Sequence, residues 1–90
     1  MKLDDSKNAK AMFAKALDLD KDFVPAQNNL ATIFIKEGKF DLAKGLLDRA
    51  IKRRADMSRL FVNRGICQAW LKNYDAAKLD YLRAAELDAT

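Results

Sequence analysis

The sequence predicts an all-α protein: five helices in antiparallel pairs, stacked as an α-solenoid. The main observation is a period of 34 residues, along which Ala9, Ala43 and Ala77 align, then Phe13, Leu47 and Tyr81, then Ala16, Ala50 and Ala84. Each full period also contains two stretches of apolar residues at helical spacing, and Pro, Gly or Asn stands near the points where one stretch gives way to the next. No strand is expected.

Taken in order, the first helix is expected from about Asp5 to Leu19. Its stripe of Ala9, Phe13 and Ala16 sets a small, a bulky and a small side chain on one face, so a neighbouring helix can approach and receive the knob. A second helix follows over about 25–37, with Pro25 in its first turn, Asp22 or Val24 as cap, and Gly38 as the left-handed residue that ends it. Leu30, Ile33 and Phe34 line it, and Ala31 is its point of close contact. Phe40 and Asp41 open the third helix, which runs to about Arg54; Asp41 suits the positive end of the dipole and Lys52, Arg53 and Arg54 the negative end. The fourth helix is expected over about 59–71, capped by Asp56 or Ser58, with Phe61, Ile66, Ala69 and Trp70 at helical spacing and Gly65 in the column of Ala31. Asn73 is expected to take the left-handed conformation before Tyr74, where the last helix begins and runs to about 87. Further paired columns join Asn29 with Asn63, Phe40 with Tyr74, and Asp22 with Asp56.

Composition narrows the function classes. Ninety residues, half of them apolar, hold one small domain. Lys and Arg number 17 against 13 Asp and Glu, giving +4, and the excess lies in the middle, where residues 23–57 carry seven basic and four acidic side chains. The run Lys52-Arg53-Arg54 is able to touch phosphate, but it also ends a helix, where cations are favoured for electrostatic reasons alone. There is no histidine and one cysteine, Cys67, which excludes an internal disulfide, an ordinary zinc site and a Ser/His or Cys/His pair. With no Gly-rich phosphate loop either, the chain is not expected to be an enzyme and no cofactor or metal is expected. No apolar run reaches the ~18 residues of a membrane span and no secretory signal is visible, so a soluble module is expected; the cytoplasm is favoured, but the residues do not specify a compartment.

These columns resemble the tetratricopeptide repeat (TPR), whose pattern is W-x2-L-G-x2-Y, then A-x3-F-x2-A, then P, in 34 residues. Residues 24–57 read Gln27-x2-Leu30-Ala31-x2-Phe34, Gly38, Phe40, Ala43-x3-Leu47-x2-Ala50, and residues 58–90 read Phe61-x2-Arg64-Gly65-x2-Gln68, Tyr74, Ala77-x3-Tyr81-x2-Ala84. Residues 5–22 supply only a second helix. The departures are Lys21, Ala55 and Ala89 in place of the closing proline, and polar Gln27, Arg64 and Gln68 at usually apolar positions. The resemblance implies one domain over 1–90, a right-handed superhelix, and a piece of a longer array with unpaired faces around Met12 and Phe13 and around Leu79 and Leu82.

Proteins of this family hold a peptide or helix of a partner against a concave wall made by first helices. By that register the groove residues are Asn28, Asn29, Thr32, Ile35 and Lys36, then Val62, Asn63, Ile66, Ala69 and Trp70, with Arg59 at the mouth. Asn29 and Asn63, one repeat apart, are able to meet successive peptide groups of an extended ligand, or else to bond the backbone of a neighbouring helix. Lys36 and Arg59 suit acidic side chains or a terminal carboxylate. The clamp that some members use for a chaperone tail is incomplete here. Trp70 reads either as an exposed anchor or as core, the commoner place for a helical aromatic, and Cys67 as a small buried hydrophobe. The expected function is therefore protein–protein interaction through a peptide groove. The alternative is an assembly segment that self-associates or continues the array through its ends, and a neutral groove argues against the RNA-binding reading of helical repeats.

Overall fold

The computed structural model describes residues 5–89, the side chain of Asp5 excepted. Five helices follow one another: α1 Asp5–Leu19, α2 Val24–Lys36, α3 Phe40–Arg53, α4 Ser58–Trp70 and α5 Tyr74–Asp88. All five expected helices are present, and among the described residues there is no strand. Each helix packs on the one that follows it, and α2 also touches α4. That pattern is a stack of antiparallel pairs in which first helices line up along one side, the architecture of an α-solenoid.

The repeating columns form the core. Ala31, Ala43, Leu47, Ala50, Leu60 and Cys67 are completely buried, with Phe34, Ile35, Phe40, Leu46, Ile51 and Met57 packed around them. Cys67 is the small buried hydrophobe the sequence suggested. Gly65 shows why its column needs small residues: a Cβ built there would lie 2.7 Å from the Tyr81 ring. In the preceding copy the smaller Leu47 stands where Tyr81 does, and Ala31 fills the place of Gly65.

The helix ends are decided by backbone hydrogen bonds more than by capping side chains. Phe23 and Met57 precede α2 and α4 in extended conformation with no side-chain cap. The expected caps are otherwise placed: Val24 and Ser58 are the first helical residues, the Asp22 amide donates to Asp20 Oδ1, and Asp56 receives Arg54 Nε at 3.0 Å. Pro25 does lie in the first turn of α2. After α2 the chain turns through Gly38 at φ +77, with the Lys39 amide donating to the Phe34 carbonyl and the Gly38 amide to that of Ile35. These two bonds are the Schellman pattern. It recurs after α4, but there the left-handed residue is Lys72 at φ 68, and Asn73, expected in that role, has φ −91. Lys72 follows Gly38 by one period, so the repeat fixes the turn and a lysine is held in a conformation that suits glycine. Asn73 instead donates its side-chain amide to Gln68 Oε1 and its backbone amide to the Gln68 carbonyl.

Each of the three polar departures from the repeat pattern makes at least one side-chain hydrogen bond, although Gln27 Oε1 is buried with no partner among the described residues. Gln27, 1% exposed, donates to the Lys21 carbonyl and ties the α1–α2 turn to α2. Gln68 is held by Asn73 as above. Arg64 makes a forked pair with Asp80, Nε to Oδ2 at 3.0 Å and Nη2 to Oδ1 at 2.8 Å, and reaches Asp48 with Nη1 at 3.1 Å. One guanidinium thus links α3, α4 and α5, its Cζ lying 5.6 Å from the Phe61 ring centre.

Candidate functional site

The first helices differ in charge from the rest of the chain. Neither α2, VPAQNNLATIFIK, nor α4, SRLFVNRGICQAW, contains an acidic residue. Every Asp and Glu lies in a second helix, a turn or the N-terminal segment. Lys36 and Arg59 are exposed, and among the described residues neither has an acidic partner. Arg64, the remaining cation of these helices, is occupied by Asp80 and Asp48.

The asparagines do not act as the equivalent pair their columns suggest. Asn63 Nδ2 donates to Asn28 Oδ1 at 2.9 Å, a direct tie between α4 and α2. Asn28 is 6% exposed, so it braces the wall rather than presenting a free carboxamide. The bond to a neighbouring helix that the sequence allowed is present, but to a side chain and not to the backbone. Asn29 is exposed and lines a shallow recess with Ser6, Ala9, Phe13, Thr32, Ile33 and Lys36, between α1 and α2. Thr32 is half-buried and its hydroxyl donates back to the Asn28 carbonyl at 3.0 Å.

On α4, Arg59 and Val62 are exposed, Asn63, Ile66 and Ala69 half-buried, and Trp70 is 67% exposed. Trp70 is therefore not core. Its indole stacks on Phe40 of α3 with ring centres 5.3 Å apart and planes 3° from parallel, so one face is fixed and the rest of the ring stays open. A rigid aromatic gives up little conformational entropy on contact, which is why such residues anchor interfaces. Ile35 is half-buried against the core. The structure thus leaves Asn29, Lys36, Arg59, Val62 and Trp70 exposed to solvent, while Thr32, Asn63 and Ile66 are half-buried. Sequence reasoning missed the absence of acids from both first helices because it ran the second helix to Glu37, which the structure places just beyond α2 as its C-cap.

No group of three or more Cys, Asp or Glu suited to a metal ion occurs among the described residues, and no helix there is long and apolar enough to cross a membrane. The exposed apolar side chains Met12, Leu79 and Leu82, at 72%, 66% and 52%, lie on α1 and α5, away from the first helices.

Comparison with known proteins agrees with this architecture. Two tetratricopeptide repeat models match, one over residues 1–61 and one over 58–90. The chain is 31% identical over 77 residues to RNA polymerase II-associated protein 3 of Xenopus laevis, a match covering 86% of this chain but only 12% of that protein. Among solved structures it is similar to the first TPR of Spaghetti (RPAP3) bound to the HSP90 peptide SRMEEVD, with TM-score 0.90 and 23% identity over 96% of this chain and 68% of that one. It is also similar to MamA, with TM-score 0.87 and 19% identity over 96% of this chain and 50% of that one. The 34-residue columns, the stacked helix pairs and the two family matches together establish that the chain belongs to the tetratricopeptide repeat family.

Proposed function

We propose that this chain is a protein-interaction module whose first-helix wall binds an extended peptide carrying acidic residues. The observation that supports it most is the charge segregation: α2 and α4 have no carboxylate, and each presents an unpaired cation, Lys36 or Arg59. An acidic ligand meets no like charge on these helices and gains two charge-assisted contacts. Trp70 and Val62 add apolar surface for a ligand side chain, and Asn29 supplies a carboxamide for its backbone. The peptide in the Spaghetti complex, SRMEEVD, is of the same chemical kind.

Selection from a random peptide display library, run in parallel on the chain and on a Lys36→Glu/Arg59→Glu variant, tests the reading. Enrichment of acidic sequences that the variant loses is the expected result. Enrichment without acidic bias, retained by the variant, would overturn it. Asn63→Ala is unsuitable as a probe because it also breaks the tie between α2 and α4. The exposed Met12, Leu79 and Leu82 favour a second reading, assembly through α1 and α5. Light scattering that finds a monomer across concentrations would remove it.

A further inference from the structure

We propose that a basic recess between the α1–α2 turn and the end of α3 binds a phosphorylated side chain of a partner protein, independently of the first-helix groove. The recess has a volume of about 400 Å³ and is lined by Lys21, Asp22, Arg49, Lys52 and Arg53. Four cations thus surround one carboxylate, and that carboxylate is only loosely engaged, 4.0 Å from Arg49. Among the described residues Lys21, Lys52 and Arg53 have no acidic partner. Arg54, the last of the basic run, is not part of the recess and pairs with Asp56. The backbone at Lys21 is anchored, since its carbonyl accepts the amide of buried Gln27 at 2.9 Å.

Cations at a helix C-terminus are favoured by the dipole, at about 0.3–1 kcal/mol each, and this alone would explain Lys52 and Arg53. The other copies of the repeat show that the fold makes no such demand. One period earlier, Lys52 and Arg53 correspond to Asp18 and Leu19; one period later, to Glu86 and Leu87. Lys21 corresponds to Ala55. In α5 the counterpart of Arg49 is Arg83, which is neutralised by Glu86 at 3.3 Å. The concentration of positive charge therefore belongs to this one place and not to the repeat.

Its compactness selects the ligand. Arg49, Lys52 and Arg53 stand at i, i+3 and i+4, within about 6 Å of helix axis, with Lys21 beside them. A nucleic-acid strand needs a longer basic stripe, and here Asp20 precedes Lys21 while Asp56 follows the basic run. A phosphoryl group carries about −1.5 to −2 charges on three acceptor oxygens, which matches three unpaired cations better than a single carboxylate does.

The test is an amide NMR titration of the labelled chain with a blocked Gly-Ala-phosphoserine-Ala-Gly peptide, its Ser and Glu counterparts, and a short oligouridylate, at about 0.15 M salt. The phosphopeptide is expected to shift Lys21, Arg49, Lys52 and Arg53, with affinity about tenfold above that of the Glu peptide and with no response to the Ser peptide. Lys52→Glu/Arg53→Leu installs the residues α5 already carries in this column, so the fold should tolerate it, and it should abolish the shifts. Lys21→Ala should weaken them from the other side of the recess. Equal response to the Ser and phosphoserine peptides, tighter binding of the oligouridylate, or shifts that persist in Lys52→Glu/Arg53→Leu would overturn the proposal.

Discussion

Removing Arg64 should expose how the last repeat is held. Asp80 is 5% exposed and receives two hydrogen bonds from the Arg64 guanidinium, so Arg64→Leu leaves a buried carboxylate without its cation. Breaking a buried pair from one side costs about 3–5 kcal/mol, and the lower end applies here because the Arg64 side chain is 22% exposed. Asp80→Leu should cost less, about 1–2 kcal/mol, since Arg64 keeps Asp48 at 3.1 Å and partial access to water. One period earlier the two positions are occupied by Leu30 and Leu46, so the double variant Arg64→Leu/Asp80→Leu rebuilds an apolar pair the fold already contains. It should fall within about 1 kcal/mol of the parent, far from the sum of the single losses. Urea denaturation followed by circular dichroism at neutral pH measures all three costs. Additive losses in the double variant, or a cost below about 1 kcal/mol for Arg64→Leu, would refute the account.

Two further outcomes follow from local geometry. Lys72→Gly should raise stability by about 1 kcal/mol in the same denaturation assay, because it relieves a left-handed lysine at a turn where the preceding copy uses glycine; an unchanged or lower midpoint would mean that Lys72 bears no strain. Burial, with a smaller contribution from the charge of Asp48, pushes the Cys67 thiol up to about 11. Native protein should therefore resist a thiol reagent at neutral pH and react on unfolding. The folded pKa lies above the ordinary ~8.5, so the buried neutral thiol supports the fold fully below that value and this support declines as pH rises towards 11. Labelling of native protein as fast as of denatured protein would contradict the burial.

The fold was legible in the sequence because a repeat states its packing rule more than once. Ala31, Gly65, Leu47 and Tyr81 meant little singly, yet their columns required a small residue opposite a large one, and the Tyr81 ring against Gly65 is that contact. The turn after α4 was misplaced by one residue for a related reason: the general preference of Asn for left-handed backbone was set above the period, which points from Gly38 to Lys72. Arg64 and Asp80 were not paired in the sequence because each departs from an apolar column separately, and only the meeting of α4 with α5 brings the two departures together.

The candidate site was less legible, because column alignment and contact are different relations. Asn29 and Asn63 share a column, but successive first helices are displaced and rotated as the stack proceeds, and the residue that meets Asn63 is Asn28, 35 positions away. The same displacement bears on what the wall can recognise. With Asn63 committed through its amide to Asn28, the carboxamides offered by α2 and α4 are no longer two identical rungs for a repeating backbone. On the proposed peptide-binding reading, discrimination among ligands falls on the elements that differ between the two helices: a lysine at the end of α2, an arginine near the start of α4, and a tryptophan fixed by Phe40 at the end of α4. On that reading, an unsymmetrical arrangement of two charges and one aromatic face would set the direction of a bound peptide as well as its composition. A peptide with its acidic residues in reversed order relative to its apolar one should therefore bind more weakly than its parent, although both carry the same charge.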